Sequence, residues 1–101
     1  MRLRHKYKAK IAETDGIKFH SQKEDRRYSE LKLLQKNGAI IFFLRQVPFD
    51  LPGNTRYFLD FMVFYTNGDI VCEDVKGYRT SQYIMKKKLV ESQYPIDIIE
   101  I

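Results

Sequence analysis

The segment from Tyr57 to Tyr65 is rich in apolar residues on both faces of the strand that it predicts. Residues 39–47 have a similar composition, with Ile, Phe and Leu in succession. A strand of this kind needs cover on each side, which helices or a partner subunit supply. These two segments therefore predict a layered α/β architecture built on a sheet that is covered on both faces.

Helix signals flank these strands at suitable distances. Ser21 is a favourable N-cap and Asn37 with Gly38 a favourable stop, and a second helix ends before Pro95. Pro48 either ends the first strand or places it at a sheet edge. The predicted order is helix, three strands, helix and strand (α-β-β-β-α-β), over residues 21–36, 39–47, 57–65, 70–76, 81–93 and 96–101.

At 101 residues the chain predicts a single domain, residues 1–101, in which residues 1–12 form a basic arm or edge strand. The net charge of +5 favours a polyanionic partner, with nucleic acid before an anionic membrane surface. The alternative is that these charges are only solvated. The basic residues that we expect to contact DNA are Arg2, Arg4, Lys6, Lys8, Lys10, Lys86 and Lys87.

Two features of the composition bear on location. No apolar run approaches the roughly 20 residues of a membrane span, and the N-terminus has no apolar signal segment. The single cysteine, Cys72, excludes an internal disulfide and fits a reducing cytosol. We expect a core role for Cys72 and a cytoplasmic protein without a membrane segment.

Charged residues interrupt two of the apolar strands. Asp60 lies within the 57–65 segment, and Asp74 and Lys76 lie at the end of the next one. Strand interiors disfavour aspartate and lysine, and burying a charge costs on the order of several kcal/mol. Acids and a lysine in two neighbouring strands therefore indicate a site.

The turn between these strands decides which acids meet. A two-residue turn would pair Asp60 with Val75, whereas a three-residue loop over 66–68 pairs Asp60 with Asp74. Gly68 suits the left-handed position of such a loop. We expect the second register, in which two carboxylates lie close enough to share a divalent cation. The same register places Lys76 opposite Phe58 and puts Glu73 on the other face, which excludes Glu73 as a primary ligand.

Phosphodiester hydrolysis gives these residue types a use. Asp60 and Asp74, with the carbonyl of Val75, are suitable ligands for Mg²⁺, and Lys76 would orient water and offset transition-state charge. Glu24 would complete the site from the first helix. Two alternatives stay open: the acids and Lys76 form a structural ion pair, and Glu24 caps its helix by bonding the Ser21 amide.

The spacing of Asp60, thirteen residues and Asp74-Val75-Lys76 resembles that of the PD-(D/E)XK nuclease superfamily. The wider pattern is similar to that of its small phage endonucleases and Holliday junction resolvase-like proteins. The stretches that carry this wider resemblance are 6–10, 15–24, 28–31, 57–61 and 73–78. Leu59 departs from the proline that often precedes the first aspartate.

The resemblance implies a restriction-endonuclease-like core, dependence on Mg²⁺ or Mn²⁺, and DNA as substrate, with Glu24, Asp60, Asp74 and Lys76 in the catalytic positions. A short basic chain suits the recognition of phosphate placement better than of base edges. We therefore expect a structure-selective endonuclease for branched DNA, acting as a C2 homodimer because symmetric junction cleavage needs two sites. A phage-encoded chain would act in the host cytoplasm. The alternatives are a phage nickase or non-specific nuclease, and a non-catalytic DNA-binding module.

Overall fold

The computed structural model describes residues 11–101. The basic side chains of the predicted N-terminal arm (Arg2, Arg4, Lys6, Lys8 and Lys10) lie outside this range. The elements, in chain order, are β1 (Ala12–Thr14), β2 (Ile17–Phe19), α1 (Gln22–Lys36), β3 (Ile40–Leu51), β4 (Thr55–Tyr65), β5 (Ile70–Asp74), α2 (Ser81–Gln93) and β6 (Ile98–Glu100).

The main sheet has four strands in the order β3-β4-β5-β6. Tight turns join β3, β4 and β5 as antiparallel neighbours, whereas α2 carries the chain across so that β6 runs parallel to β5. The sheet is therefore mixed, and the order from α1 to β6 is the predicted α-β-β-β-α-β. The expected fold class, a mixed α/β domain with flanking helices, is confirmed.

The cap residues set the helix boundaries. Ser21 caps α1 by accepting a hydrogen bond from the Glu24 amide at 3.1 Å. Thr80 caps α2 in the same way, with the Tyr83 amide as donor at 3.0 Å. Each cap satisfies an amide that has no partner within its helix.

The strand boundaries differ from the sequence prediction, most importantly at the ends of β3 and β5. β3 continues through Pro48 to Leu51, because it is an edge strand and a proline there removes no sheet hydrogen bond that is needed. β5 ends at Asp74 rather than at residue 76. The predicted pairing of Lys76 with Phe58 is wrong, since the ladder between β4 and β5 ends at the pair of Phe61 and Glu73. On the other side, the Lys76 amide donates to the Ile101 carbonyl at 3.3 Å.

A small hairpin that the sequence analysis did not predict precedes α1. β1 and β2 pair antiparallel around a turn at Asp15 and Gly16, both of which have a positive φ. The hairpin packs on α1, where the Tyr28 hydroxyl donates to Asp15 Oδ2 at 2.9 Å. Asp15-Gly16 is a common turn pair, so the sequence indicates this turn but not the two strands beside it.

The buried apolar residues form two clusters, one against each helix. The cluster that includes α1 consists of Phe19, Tyr28, Leu31, Ile40, Phe61 and Val63. The cluster that includes α2 consists of Leu51, Tyr57, Leu59, Cys72, Tyr83, Val90 and Ile98. Within residues 11–101, no helix has the length and apolar character needed to cross a membrane.

The β3–β4 hairpin twists strongly at its middle. Leu59 packs with α2 and Phe61 with α1, although residues two apart share a face in a flat strand. The change coincides with Gln46, which has a φ of 50° and lies opposite Asp60, between the Arg45–Phe61 and Val47–Leu59 pairs. Asp60 therefore lies where the covering of the sheet changes from one helix to the other.

Candidate active site

The turn between β4 and β5 has the predicted geometry. The Tyr65 amide donates to the Asp69 carbonyl at 2.8 Å, and the Gly68 amide donates to the Tyr65 carbonyl at 3.0 Å. Gly68 has a φ of 100°, which favours glycine. The ladder then pairs Phe61 with Glu73, so that Asp60 and Asp74 are the next residues along the two strands. The predicted register is confirmed.

Asp60 and Asp74 are joined through backbone amides. The Asp60 amide donates to Asp74 Oδ1 at 3.0 Å, and the Val75 amide donates to Asp60 Oδ2 at 2.9 Å. Each carboxylate thus has one oxygen held by the opposite strand and one oxygen left for other partners. The two acids are fixed relative to each other by the sheet itself.

Asp74 is the most deeply buried charged residue of this group, with no exposed surface. Its second oxygen, Oδ2, is buried and makes no well-formed hydrogen bond, although the Tyr83 hydroxyl lies near the carboxylate. Burial raises the pKa of Asp74, against the Asp60 amide, the Lys76 charge and the Tyr83 hydroxyl, which lower it. A buried carboxylate oxygen without a partner is costly, and such an atom calls for an explanation such as a missing ion.

Glu24 approaches the two aspartates from the first turn of α1. Its Oε2 accepts a hydrogen bond from Gln46 Nε2 at 3.4 Å, and the same Gln46 nitrogen donates to Asp60 Oδ1 at 3.1 Å. Burial, followed by the nearby charge of Asp60, raises the pKa of Glu24. The contact with Gln46 directs the Glu24 carboxylate towards the aspartates, while Ser21 caps the helix by itself.

Lys76 lies beside these acids and is held by an aromatic ring. Its Nζ is 4.5 Å from the centre of the Tyr83 ring. Its charge acts on the Asp74 and Glu24 carboxylates, where it lowers pKa values that burial raises. A cation over a ring keeps its N–H groups available for other acceptors, which a salt bridge would occupy.

Tyr83 also joins the site to the end of the chain. Its hydroxyl donates to Glu100 Oε2 at 3.2 Å, and burial, followed by the Asp74 charge, raises its pKa. Glu100 also accepts from Lys87 Nζ at 3.1 Å and pairs with Arg79 Nε at 3.0 Å. Lys87, one of the predicted DNA contacts, is therefore already engaged, and the neighbouring Lys86 is half-buried.

Glu73 has a structural partner on the other face of the sheet. Arg27 of α1 holds it with two hydrogen bonds, Nε to Oε1 at 2.9 Å and Nη2 to Oε2 at 2.6 Å. Glu73 is 3% exposed, and this pairing raises the pKa of Arg27. Both oxygens of Glu73 are therefore occupied by Arg27, which agrees with the prediction that Glu73 is not a primary metal ligand.

Three residues at or near the site were missed by sequence reasoning: Gln46, Tyr83 and Arg27. Gln46 depends on a backbone twist that no local pattern signals. Tyr83 was predicted to lie on a helix, but its contact with Lys76 depends on how α2 packs. Nothing in the sequence distinguished Arg27 from the adjacent Arg26 as the partner of a buried acid.

The donor set suits a hard divalent cation. Carboxylates of Glu24, Asp60 and Asp74 and the Val75 carbonyl are oxygen ligands of the kind that Mg²⁺ prefers, and Asp74 Oδ2 is an orphaned buried atom. Across residues 11–101, no three His, Cys, Asp or Glu side chains converge closely enough to hold a metal as they stand. The residues fit the ion by chemistry, and the carboxylates would have to turn towards it.

The fold and this cluster define a small mixed α/β domain with a carboxylate–lysine site where β4 and β5 meet. The chain belongs to the family described as protein of unknown function DUF1064, whose match covers residues 4–99. The match includes every residue of the site. No curated protein matches the chain.

Proposed function

We propose that the protein is a metal-dependent DNA endonuclease of the PD-(D/E)XK type, which hydrolyses phosphodiester bonds. The observation that carries the proposal is the pairing of Asp60 with Asp74 across β4 and β5, with an unpartnered Asp74 oxygen and Lys76 beside it. A structural ion pair accounts less well for this arrangement, because it would satisfy that oxygen. The order of strands and helices is also the one that the superfamily resemblance implies.

Each residue has a distinct part in this proposal. Asp60, Asp74, Glu24 and the Val75 carbonyl would hold Mg²⁺ or Mn²⁺, which when bound acidifies water and offsets phosphate charge. Lys76, free of a carboxylate partner among the described ion pairs, would orient the attacking water and stabilise charge in the transition state. Burial raises the pKa of Glu24, which makes its carboxylate a stronger acceptor of a proton from water.

The substrate and assembly are the finer parts of the proposal. A basic chain of this size suits backbone recognition, so we propose branched DNA such as a four-way junction as the preferred substrate. Symmetric cleavage of a junction would require a homodimer. A phage-encoded enzyme of this kind would act in the cytoplasm of the host cell.

A substrate panel tests the reaction and the preference together. The protein is incubated with a labelled four-way junction, a linear duplex and a single strand of equal length, in Mg²⁺ and separately in Mn²⁺. Paired symmetric cuts in the junction are expected. Equal cleavage of all three substrates would contradict the preference for junctions, and single nicks in plain duplex would favour a nickase.

Variants with matched controls test the site. Asp60→Asn and Lys76→Ala should each lower the cleavage rate by about 100-fold or more while DNA binding persists. Asp50→Asn and Lys88→Ala change the same residue types at exposed positions remote from the site and should cleave as the wild type does. If the controls lose as much activity, the assigned residues do not carry the reaction.

A non-catalytic DNA-binding module is the second candidate. It is favoured by the lack of three converging ligands among residues 11–101. A wild-type protein that binds DNA but cleaves no substrate with any divalent metal would promote this candidate. Cleavage that Lys76→Ala abolishes, with binding kept, would eliminate it.

A further inference from the structure

Gln46 has an unusual backbone conformation in the middle of the edge strand β3. Its φ of 50° lies in the left-handed region, which residues other than glycine, asparagine and aspartate rarely adopt. The strand register is the same on both sides of it, so the conformation does not serve to absorb an extra residue. Its effect is to twist the strand and to set the Gln46 side chain beside Asp60.

The Gln46 amide lies between two acids that come from different elements. Nε2 donates to Asp60 Oδ1 at 3.1 Å and to Glu24 Oε2 at 3.4 Å. The NH₂ group of glutamine has two donor hydrogens, one for each carboxylate. The side chain is exposed, so it has room to withdraw.

We propose that the Gln46 amide competes with a divalent cation for the position between Glu24 and Asp60. This inference rests on the proposed function in taking these carboxylates as the ligands. Two nearby carboxylates repel each other, and an amide donor between them relieves part of that repulsion. A cation uses the same oxygen lone pairs and the same space, so its arrival displaces the amide.

Metal binding without DNA tests the competition. The Kd for Mn²⁺ is measured by titration calorimetry for the wild type, Gln46→Ala and Gln35→Ala. Gln35 is the matched control, because its amide makes only a 3.4 Å contact with a backbone carbonyl and touches no carboxylate. Gln46→Ala should bind Mn²⁺ about three- to tenfold more tightly, the net effect of removing one hydrogen bond of ordinary strength, and the control should match the wild type.

Gln46→Asn guards against a folding defect. Asparagine tolerates the left-handed conformation and is too short to reach both acids, so it should also tighten Mn²⁺ binding. An unchanged Kd in both Gln46 variants overturns the inference. A weaker affinity also overturns it, because it would make Gln46 a ligand through its carbonyl oxygen.

The same titrations separate this inference from the proposed function. Tighter binding by the variants in a protein that cleaves no DNA would uphold the role of Gln46 and reject the nuclease. If the wild type cleaves DNA but the Gln46 variants bind Mn²⁺ with an unchanged Kd, the nuclease is upheld and the role of Gln46 is rejected. A wild type that binds no Mn²⁺ rejects the competition whatever its activity.

Discussion

Asp60 and Asp74 hold each other in place through two hydrogen bonds. The Asp60 amide donates to Asp74 Oδ1 at 3.0 Å, and the amide of Val75, the residue after Asp74, donates to Asp60 Oδ2 at 2.9 Å. Main-chain atoms on both strands take part, so the arrangement depends on sheet register rather than on flexible side chains. A site built on strands is held more accurately than one built on loops. The cost is the burial of a charged group, and that cost is measurable.

Asp74→Asn should raise the free energy of unfolding at neutral pH by about 1 kcal/mol, because it removes a buried charge that function, rather than stability, requires. Burial raises the pKa of Asp74 above its ordinary 3.8, so ionisation disfavours the folded state. Asparagine keeps the oxygen that accepts from the Asp60 amide and removes the charge. Urea unfolding of both proteins at pH 7 measures the difference, and an Asn variant less stable than the wild type would contradict the prediction.

The pH dependence of this effect has a definite sign. In the window above pH 3.8, the folded protein keeps the Asp74 proton where the unfolded chain has lost it. The stability that Asp74 contributes is therefore complete below the unfolded pKa and falls as pH rises through the folded pKa. Asp74→Asn should flatten the stability profile between the unfolded pKa of Asp74 and its higher folded pKa. An unchanged slope would mean that Asp74 ionises as freely in the fold as out of it.

Arg27→Met should destabilise the fold by about 3 kcal/mol or more, because it leaves the buried Glu73 carboxylate without its bidentate partner. Arg26→Met is the matched control, since Arg26 is exposed and adjacent. The measurement is the midpoint of urea unfolding at pH 7. Equal effects at the two arginines would show that the loss is not specific to Glu73.

The double variant Arg27→Met with Glu73→Leu should recover much of that loss. A buried ion pair gives little net stability over a well-packed apolar pair, whereas a lone buried charge is costly. The double-mutant cycle therefore should be strongly non-additive. A double variant at least as unstable as the sum of the single losses would contradict this account.

Gly68→Ala should destabilise the fold by about 1 kcal/mol. A Cβ at Gly68 would meet nothing within 4 Å, so the cost is conformational and arises from a φ of 100°. This turn sets the pairing of Asp60 with Asp74. If the variant unfolds at the same midpoint as the wild type, the turn tolerates another geometry. Thermal unfolding measures the change.

The register of the site was accessible from sequence because it depends on local chemistry. Three turn residues ending in Gly68 select the loop length, and strand alternation then carries the pairing along to Asp60 and Asp74. The helix caps at Ser21 and Thr80 are local in the same sense, although only Ser21 was recognised.

The contacts that complete the site were not accessible, because they join distant segments. Gln46 contacts Glu24 because of the left-handed backbone conformation in the middle of a long hairpin. The sequence has no glycine at this position and the register has no shift there that would have indicated it. The predicted pairing of Lys76 with Phe58 failed because β5 ends at Asp74. After Glu73 the chain leaves its ladder with β4 but keeps hydrogen bonds to the end of the last strand as far as Lys76, and no local signal fixes that point.

Tyr83 gives a test of how Lys76 is positioned. Its ring lies 4.5 Å from Lys76 Nζ, and its hydroxyl binds Glu100. Tyr83→Phe keeps the ring and should retain cleavage within about threefold of the wild type, whereas Tyr83→Leu should lower kcat about tenfold through loss of the cation–π contact. DNA affinity and KM should stay close to wild type in both, because neither variant removes a charge that meets the phosphate.

Single-turnover cleavage rates across pH 6 to 9, with unfolding midpoints measured alongside, separate positioning from stability. Both variants lose the hydroxyl contact with Glu100, so any loss of stability from that bond is shared, and only the loss of the ring should reduce the rate at temperatures well below unfolding. Equal rate losses for Tyr83→Phe and Tyr83→Leu would assign the effect to the hydroxyl and the Glu100 network. A Leu variant that cleaves like the wild type would show that the ring does not position Lys76.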